Sequence, residues 1–178
     1  MRYVAFLRGI NVGGRHSLAM SDLSDLAQAI GLLDPVTYLQ SGNLLFTAPK
    51  QAAASLSSRL AESLADAAGF EIPVVVRSAP QMALVAERHP FEQLASQPKE
   101  LFVMFLSGLP SAQDAAQLDP ARGGTDVFEL IGQELYLHLT SAARTKLSVD
   151  YVGRVLKLSA TARNWNTVTA VAGMLAEH

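Results

Sequence analysis

The polar residues that could bind a ligand gather in three short stretches of the chain. The first runs from Arg8 to Arg15 and contains three glycines and Asn11. Backbone N–H groups in a glycine-rich turn can converge on an anion, and an arginine can add a bidentate, charge-assisted pair. The sequence therefore predicts an anion site here, with Arg8, Asn11, Gly13 and Gly14 as ligands. The alternative is a loop whose glycines only turn the chain, since their spacing fits neither a dinucleotide fingerprint nor a Walker loop.

The second stretch is Ser41-Gly42-Asn43, which offers a hydroxyl and an amide. Ser41 and Asn43 are candidate ligand residues. A nucleophilic Ser41 would need a base within hydrogen-bond reach, and the four histidines, at positions 16, 89, 138 and 178, form neither a triad nor a metal-binding spacing. A hairpin turn is therefore the better interpretation of this tripeptide than a nucleophile. The carboxylates are scattered as well, so we predict no metal site and no cofactor.

The third stretch is Thr161-Ala162-Arg163-Asn164-Trp165-Asn166-Thr167. Asn164 or Thr161 could cap the helix predicted to follow, which leaves Arg163 and Asn166 for another role. A helix N-terminus carries free N–H groups and a partial positive charge, so it suits an anion or a carbonyl oxygen. Lys146 belongs to a basic run upstream of this stretch, although a solvated helix face would have the same composition. Lys146, Arg163 and Asn166 complete the predicted ligand set.

Composition limits the classes of function. The 178 residues have a net charge of -2, and only 17% of them are charged. This balance disfavours nucleic-acid binding, which depends on clustered Lys and Arg. The absence of cysteine excludes disulfides, thiolate metal sites and a cysteine nucleophile. No apolar run reaches the length of a membrane span, and no signal-peptide pattern is visible, so we expect a cytoplasmic protein without a membrane partner. The oligomeric state is left open.

The first half of the chain alternates strand and helix patterns. Tyr3 to Leu7 is apolar on both faces, which is typical of a central strand covered on both sides. The order that follows is βαββαβ, and it predicts a ferredoxin-like lobe over residues 1–78 of an α+β protein. The elements after the first strand are a helix capped by Ser21 and ended by Gly31, a turn at Asp34-Pro35, strands at Val36–Leu39 and Leu44–Thr47, a helix from Pro49 to Ala68, and a strand at Ile72–Arg77.

This topology has a consequence for the candidate site. In a split βαβ unit the first two strands run parallel, so both end at the same edge of the sheet. The loop from Arg8 to Arg15 and the turn at residues 41–43 should therefore lie side by side.

Residues 79–178 form a second α+β lobe in this interpretation. Residues 4–10 resemble residues 103–109, and the two hairpins align if Gly42 matches Gly132 and Leu45 matches Leu135. Either the two lobes are related, or the same strand-and-glycine pattern arose twice independently. If they are related, the open sheet face of the first lobe would be covered by the second lobe or by another subunit. The predicted elements are a helix from the capping box at 78–81 to Arg88, a strand at Leu101–Leu106, a helix at Ser111–Leu118, strands at Asp126–Ile131 and Glu134–Leu139, and helices at Ala143–Leu156 and Trp165–Glu177.

The motifs also resemble a known family. Leu7 to Gly14 with Met20, Thr37 to Asn43, and Thr161 to Thr167 together are similar to the bacterial domain-of-unknown-function family DUF1697, and Lys146-Leu147 fits its pattern. His89-Pro90-Phe91 stands where the family more often has Asn-Pro-Phe. The resemblance implies a cytoplasmic α+β protein with a ferredoxin-like part, and it implies no activity.

The leading hypothesis from the sequence is a polar cleft between lobes that binds a small anion such as a phosphorylated metabolite or nucleotide. Three alternatives stay open. An enzyme would need a general base, for which His16, Asp150 and Glu129 are the candidates. An RNA-binding sheet would need exposed aromatic pairs on its central strands, and these are not evident. Finally, the motifs could be structural, with polar loops that satisfy each other's backbone groups.

Overall fold

The computed structural model describes residues 1–11 and 17–177 and has two compact units. Unit 1 consists of Met1–Ala83 with Val171–His178, and unit 2 consists of Leu84–Ala170. Each unit contains a four-stranded antiparallel sheet and helices, so the predicted α+β fold with two lobes is confirmed. Gly13 and Gly14 lie outside the described residues.

Unit 1 has the predicted order βαββαβ. Its sheet order is β2-β3-β1-β4, and β1 pairs antiparallel with both β3 and β4, which are the pairings expected of a split βαβ unit. The two helices pack on one sheet face through Leu23, Ala27, Leu56, Leu60 and Leu64. The elements are β1 Arg2–Leu7, α1 Met20–Ala29, β2 Leu33–Tyr38, β3 Asn43–Thr47, α2 Ala53–Ala68 and β4 Val74–Ser78, followed by α3 Ala79–Ala86.

The central strand β1 is buried on both faces, as its apolar pattern predicts. Tyr3, Ala5 and Leu7 belong to the core under α1 and α2, whereas Val4 and Phe6 point to the opposite face of the sheet. Both sets are no more than 1% exposed. The C-terminal end of α6 also belongs to unit 1, where Arg2 Nη1 donates a 2.8 Å hydrogen bond to the Met174 carbonyl. This bond satisfies one of the carbonyl groups that a helix leaves free in its last turn.

Unit 2 repeats the topology of unit 1. Its sheet order, β6-β7-β5-β8, places the first strand of the unit at the same position as β1 in the first sheet. The helix-covered face forms its own core around Leu106, Leu135, Leu137 and Val152. The elements are 3₁₀ turns at Pro98–Glu100 and Pro120–Gly123, β5 Leu101–Leu106, α4 Ala112–Ala115, β6 Val127–Ile131, β7 Glu134–His138, α5 Val149–Leu156, β8 Ala160–Asn164 and α6 Trp165–Ala176.

One buried arginine marks the same place in each sheet. Arg77 in β4 pairs with Val4, and Arg163 in β8 pairs with Val103. Each guanidinium turns back on the carbonyl of the preceding residue, at 2.9 Å for Arg77 and 2.8 Å for Arg163. Such agreement in strand order, pairing and side-chain contact supports the interpretation of the two halves as related repeats.

Strand pairing corrects the alignment of the two hairpins. Phe6 pairs with Asn43, and its counterpart Phe105 pairs with Glu134, so Leu45 corresponds to Tyr136 and not to Leu135. The prediction was displaced by one residue because the turn of unit 1 has four residues, 39–42, whereas that of unit 2 has two, 132–133. A displacement of one residue exchanges the two faces of a strand.

One strand was not predicted, and two helices were predicted to begin too early. The strand β8 was not predicted, because Thr161, Arg163 and Asn164 give it a polar composition and its pairing with β5 is non-local. Helix α5 begins only at Val149, where the Ser148 hydroxyl accepts from Tyr151 N, and α2 begins at Ala53 rather than at Pro49.

Two local predictions in the first lobe fail for conformational reasons. Ser21 lies inside the first turn of α1, and no side chain caps that helix. Asp34-Pro35 is not a turn before β2 but part of it, at a register shift between Leu33 and Val36 in which Asp34 has φ 49°. This irregularity is a β-bulge, which allows an edge strand to keep a proline.

The turn glycine Gly42 gives a test of the fold. It has φ +77°, and an added Cβ would lie 2.7 Å from Ile10 Cδ1 and 2.8 Å from Leu7 Cβ. We expect Gly42→Ala to lower the free energy of unfolding by about 2 to 5 kcal/mol, because left-handed strain and overpacking add. Gly31→Ala is the matched control, since Gly31 has φ +80° with no atom within 4 Å of the added Cβ. It should lose only about 1 to 2 kcal/mol in the same urea titration. Equal losses would contradict the packing argument.

Candidate functional site

The glycine-rich loop and the Ser41 turn meet at the edge of unit 1 where β1 ends. Leu7 N donates to the Gly42 carbonyl at 2.8 Å, and Arg8 N donates to the Pro73 carbonyl at 3.0 Å. The Asn11 side chain reaches the Gln40 carbonyl at 2.9 Å. The predicted adjacency therefore holds for Arg8–Asn11, the part of the loop that the structure describes before position 12.

Asn11 holds the loop closed. Its Oδ1 accepts from Leu18 N, and its Nδ2 donates to the Leu18 carbonyl, both at 2.9 Å. The same Nδ2 donates to Gln40 of the neighbouring turn, so one carboxamide joins both ends of the loop to the hairpin. Asn11 has φ 55°, a conformation that asparagine adopts more readily than most residues. Because both ends of its amide are bonded to backbone, Asn11 positions the loop.

Asn43 supports the neighbouring turn from inside. Its side chain is fully buried, and Nδ2 donates to the Tyr38 carbonyl at 2.7 Å and to Ser41 Oγ at 3.2 Å. Leu39 and Gly42 both take positive φ in this turn. A side-chain amide that bridges the ends of the turn stabilises that strained backbone. Ser41, whose hydroxyl accepts the bond from Asn43 Nδ2, is an exposed residue of the turn.

A comparison of the two units shows which residues at this edge the shared topology requires. The connection after its first strand is residues 107–111, whereas the corresponding connection in unit 1 is residues 8–19. The hairpin turn is likewise shorter, residues 132–133 against 39–42. The hydrogen bonds at the end of the first strand are nevertheless the same in unit 2. Leu106 N donates to the Gln133 carbonyl, and Ser107 N donates to the Ser159 carbonyl. Unit 1 therefore carries additional polar residues, at one edge, that the topology itself does not need.

The three remaining predicted ligands belong to unit 2, and each has a local environment there. Arg163 is 8% exposed, and its Nη1 donates to Thr161 Oγ1 at 2.9 Å as well as to the Ala162 carbonyl. Burial lowers the pKa of Arg163 to about 10, so the group stays positive at neutral pH. Lys146 is exposed, and its carbonyl accepts from Arg122 Nε. Asn166 is exposed in the first turn of α6, whose N-cap is Asn164, bonded to Thr167 N. Their roles as ligands stay predictions.

His89 is a core residue of unit 2. It is 3% exposed, and its ring makes edge contacts with the rings of Tyr136 and Trp165, at centroid distances of 5.2 and 5.1 Å. Phe91 N donates to Nδ1 at 3.3 Å, which assigns the proton to Nε2, and Nε2 lies 3.0 Å from the Phe102 carbonyl. The neutral imidazole thus satisfies both neighbours. No signal in the sequence indicated this role for the first residue of the His-Pro-Phe motif.

Two of the three proposed general bases belong to unit 2. Glu129, on β6, and Asp150, in the first turn of α5, are exposed residues of unit 2, and His16 lies outside the described residues. Within residues 1–11 and 17–177, no group of three His, Asp or Glu side chains is arranged to hold a metal ion. In that same part of the chain, no helix has the length and apolar character needed to cross a bilayer.

The environment of His89 predicts a pH dependence of stability. Desolvation lowers the pKa of His89 below the usual 6.5, so the unfolded chain binds the proton more readily than the folded one. The free energy of unfolding should therefore fall as the pH drops below about 6.5, by at most about 1.4 kcal/mol per pH unit from this group. His89→Gln keeps a donor for the Phe102 carbonyl but cannot titrate. Its urea-unfolding free energy should fall less between pH 7.5 and 5.5 than that of the wild type, and equal slopes would contradict the assignment.

Comparisons with known proteins agree with these observations. The solved structure of the conserved bacterial protein SP0830 from Streptococcus pneumoniae is similar to this chain, with a TM-score of 0.75, 24% sequence identity and 98% of each chain covered. At that identity the likeness shows a shared fold. No curated protein sequence matches the chain. The model of the family described as "Protein of unknown function (DUF1697)" matches residues 1–136. The chain therefore belongs to the DUF1697 family.

Proposed function

We propose that the edge of unit 1 formed by the glycine-rich loop and the Ser41 turn binds a small anion, such as a phosphorylated metabolite or a nucleotide. The observation that carries the proposal is the difference between the two units. Both have the same strand order, yet only unit 1 extends both connections at this edge. Because unit 2 folds with the same topology without these residues, a function explains their presence in unit 1 better than a requirement of folding does.

The chemistry of the extension favours an anion. Arg8 opens the loop and Arg15 ends its glycine-rich part, while Gly9, with φ 74°, allows the backbone to turn directly after Arg8. A guanidinium and successive backbone N–H groups are the groups that proteins use most often for phosphate. In the proposal Arg8 and Ser41 contact the ligand, whereas Asn11 and Asn43 fix the backbone around it.

The structural alternative has its own support in the same contacts. Asn11 and Asn43 are bonded to backbone groups, which is what polar residues that only hold two loops together would show. This alternative and the binding proposal differ in the role of Arg8. If the edge is only structural, removing the Arg8 side chain lowers stability and no anion ever binds.

Binding and its dependence on Arg8 are directly measurable. We expect pyrophosphate or AMP to raise the melting temperature of the protein and to bind in isothermal titration calorimetry. Arg8→Ala should weaken that binding about 10- to 150-fold, which is the loss expected when one charge-assisted hydrogen bond is removed. Lys50→Ala is the control, since it removes an exposed positive charge after β3. The proposal fails if neither pyrophosphate nor AMP binds, or if both variants bind like the wild type.

Asn11 provides a second test, directed at the loop. Asn11→Ala removes three hydrogen bonds, and each contributes about 0.5 to 1.5 kcal/mol. We expect the free energy of unfolding to fall by about 1.5 to 4.5 kcal/mol and the binding of pyrophosphate or AMP to weaken. Asn11→Asp keeps the acceptor for Leu18 N but places a carboxylate oxygen against the Leu18 and Gln40 carbonyls, so it should also lose stability in urea titrations. An Asn11→Ala variant as stable as the wild type would show that the loop closes without this side chain.

A further inference from the structure

Unit 2 contains a surface groove that the proposed anion site does not use. The groove has a volume of about 560 Å³, within the range of ligand-binding clefts. One wall is formed by residues of β6 and β7, and the other by the C-terminal half of α3 and the turn after it. The lining residues on which the argument depends are Leu84, Glu87, Arg88, Glu92, Glu129 and Ile131.

Two large apolar side chains are exposed at the rim of the groove. Leu84 is 72% exposed and Ile131 is 47% exposed. On β6, Phe128 and Leu130 pack into the core of unit 2, while Glu129 and Ile131 line the groove. Large exposed apolar side chains beside a concave surface are typical of sites where another molecule docks.

The strand that borders the groove is a regular edge strand. Within the described residues β6 is hydrogen-bonded only to β7, with which Val127–Ile131 pair in an unbroken register. An edge of this kind can accept a further strand through its free backbone groups. The corresponding strand of unit 1, β2, has a bulge and Pro35, both of which hinder such pairing. The edge strand of unit 2 is therefore better suited than that of unit 1 to pair with a strand of another chain.

The charges in the groove indicate the chemistry of the occupant. Glu87, Glu92 and Glu129 oppose a single basic residue, Arg88, and the histidine in the lining is neutral. Glu92 also accepts from His89 N, so its carboxylate is fixed at the wall. If two copies of this chain paired antiparallel through β6, with Glu129 at the centre of the strand, the two carboxylates would face each other, which disfavours a second copy. A basic occupant would instead be attracted.

We propose that β6 and this groove bind an extended peptide segment of a partner protein with alternating basic and apolar side chains. The segment adds a strand to the edge of the second sheet. Because successive side chains of a strand point to opposite faces of the sheet, its Lys or Arg side chains lie on the groove face beside Glu129 and Glu87, with their alkyl stems over Ile131. Its apolar side chains lie on the other face, beside the partly buried Phe128 and Leu130. Main-chain hydrogen bonds supply affinity, and the groove supplies the preference for charge.

The test uses synthetic octapeptides and the full chain. The probe is a fluorescein-labelled, end-blocked peptide of alternating Lys and Val, and fluorescence anisotropy measures its dissociation constant. Two control peptides carry Glu in place of Lys, or N-methyl groups on every second backbone amide. We expect the Lys peptide to bind and both controls to bind at least tenfold more weakly. The proposal is overturned if the Lys peptide does not bind, or if either control binds equally well.

Variants localise the binding. Glu129→Lys should weaken the Lys peptide at least tenfold, because an attraction becomes a repulsion, whereas Glu62→Lys makes the same charge change on α2 of unit 1 and should have no effect. Glu129→Gln serves if the lysine variant melts early. Equal weakening by Glu129→Lys and Glu62→Lys would reduce the effect to general charge attraction and overturn the proposal. A dimer in sedimentation that Ile131→Lys abolishes would assign the edge to a second copy and overturn it too.

Discussion

The candidate site of unit 1 depends on the close approach of the hairpin backbone to the end of β1. The Gly42 carbonyl accepts from Leu7 N, and the space beside Gly42 is filled by Leu7 and Ile10, so only a residue without Cβ fits there. This contact brings the Ser41 turn against the loop after β1. The Asn11 carboxamide can then reach Gln40 as well as Leu18. Without the approach, Asn11 could not bond to the Ser41 turn.

The two units show how one topology can carry different surfaces. Both place the first strand in the same position of the sheet, and both hold a buried arginine at the same site of the last strand. Unit 1 extends its connections at the end of the first strand, and unit 2 keeps a regular, uninterrupted edge at β6. The shared strand pairings preserve each sheet, so connections and edges can differ without cost to the core.

Polar residues in the three motifs have different uses that composition alone does not separate. Three asparagines bond to backbone groups. Asn11 joins the ends of its loop, Asn43 supports the hairpin turn, and Asn164 caps α6. Arg163 is inside a sheet, whereas Arg8 lies half-buried at its edge. Sequence reasoning grouped these residues by their capacity to bind an anion. The geometry of the loops determines which of these side chains bond to backbone groups. That geometry depends on contacts such as the one between Asn11 and Leu18, which no local sequence pattern predicts.

By itself the sequence determined the family motifs, the α+β class, the βαββαβ order of the first half and the adjacency of the first two motifs. These follow from local apolar periodicity and from glycines at turns, which act over a few residues. Tertiary structure decided the existence of β8, the register of the second hairpin and the neutral form of His89. Each of these depends on a partner distant in the chain: β5 for β8, Phe105 for the hairpin, and Phe102 with Tyr136 and Trp165 for the imidazole. Pairing and burial of this kind arise only when the sheet forms, so a single stretch of sequence carries no record of them.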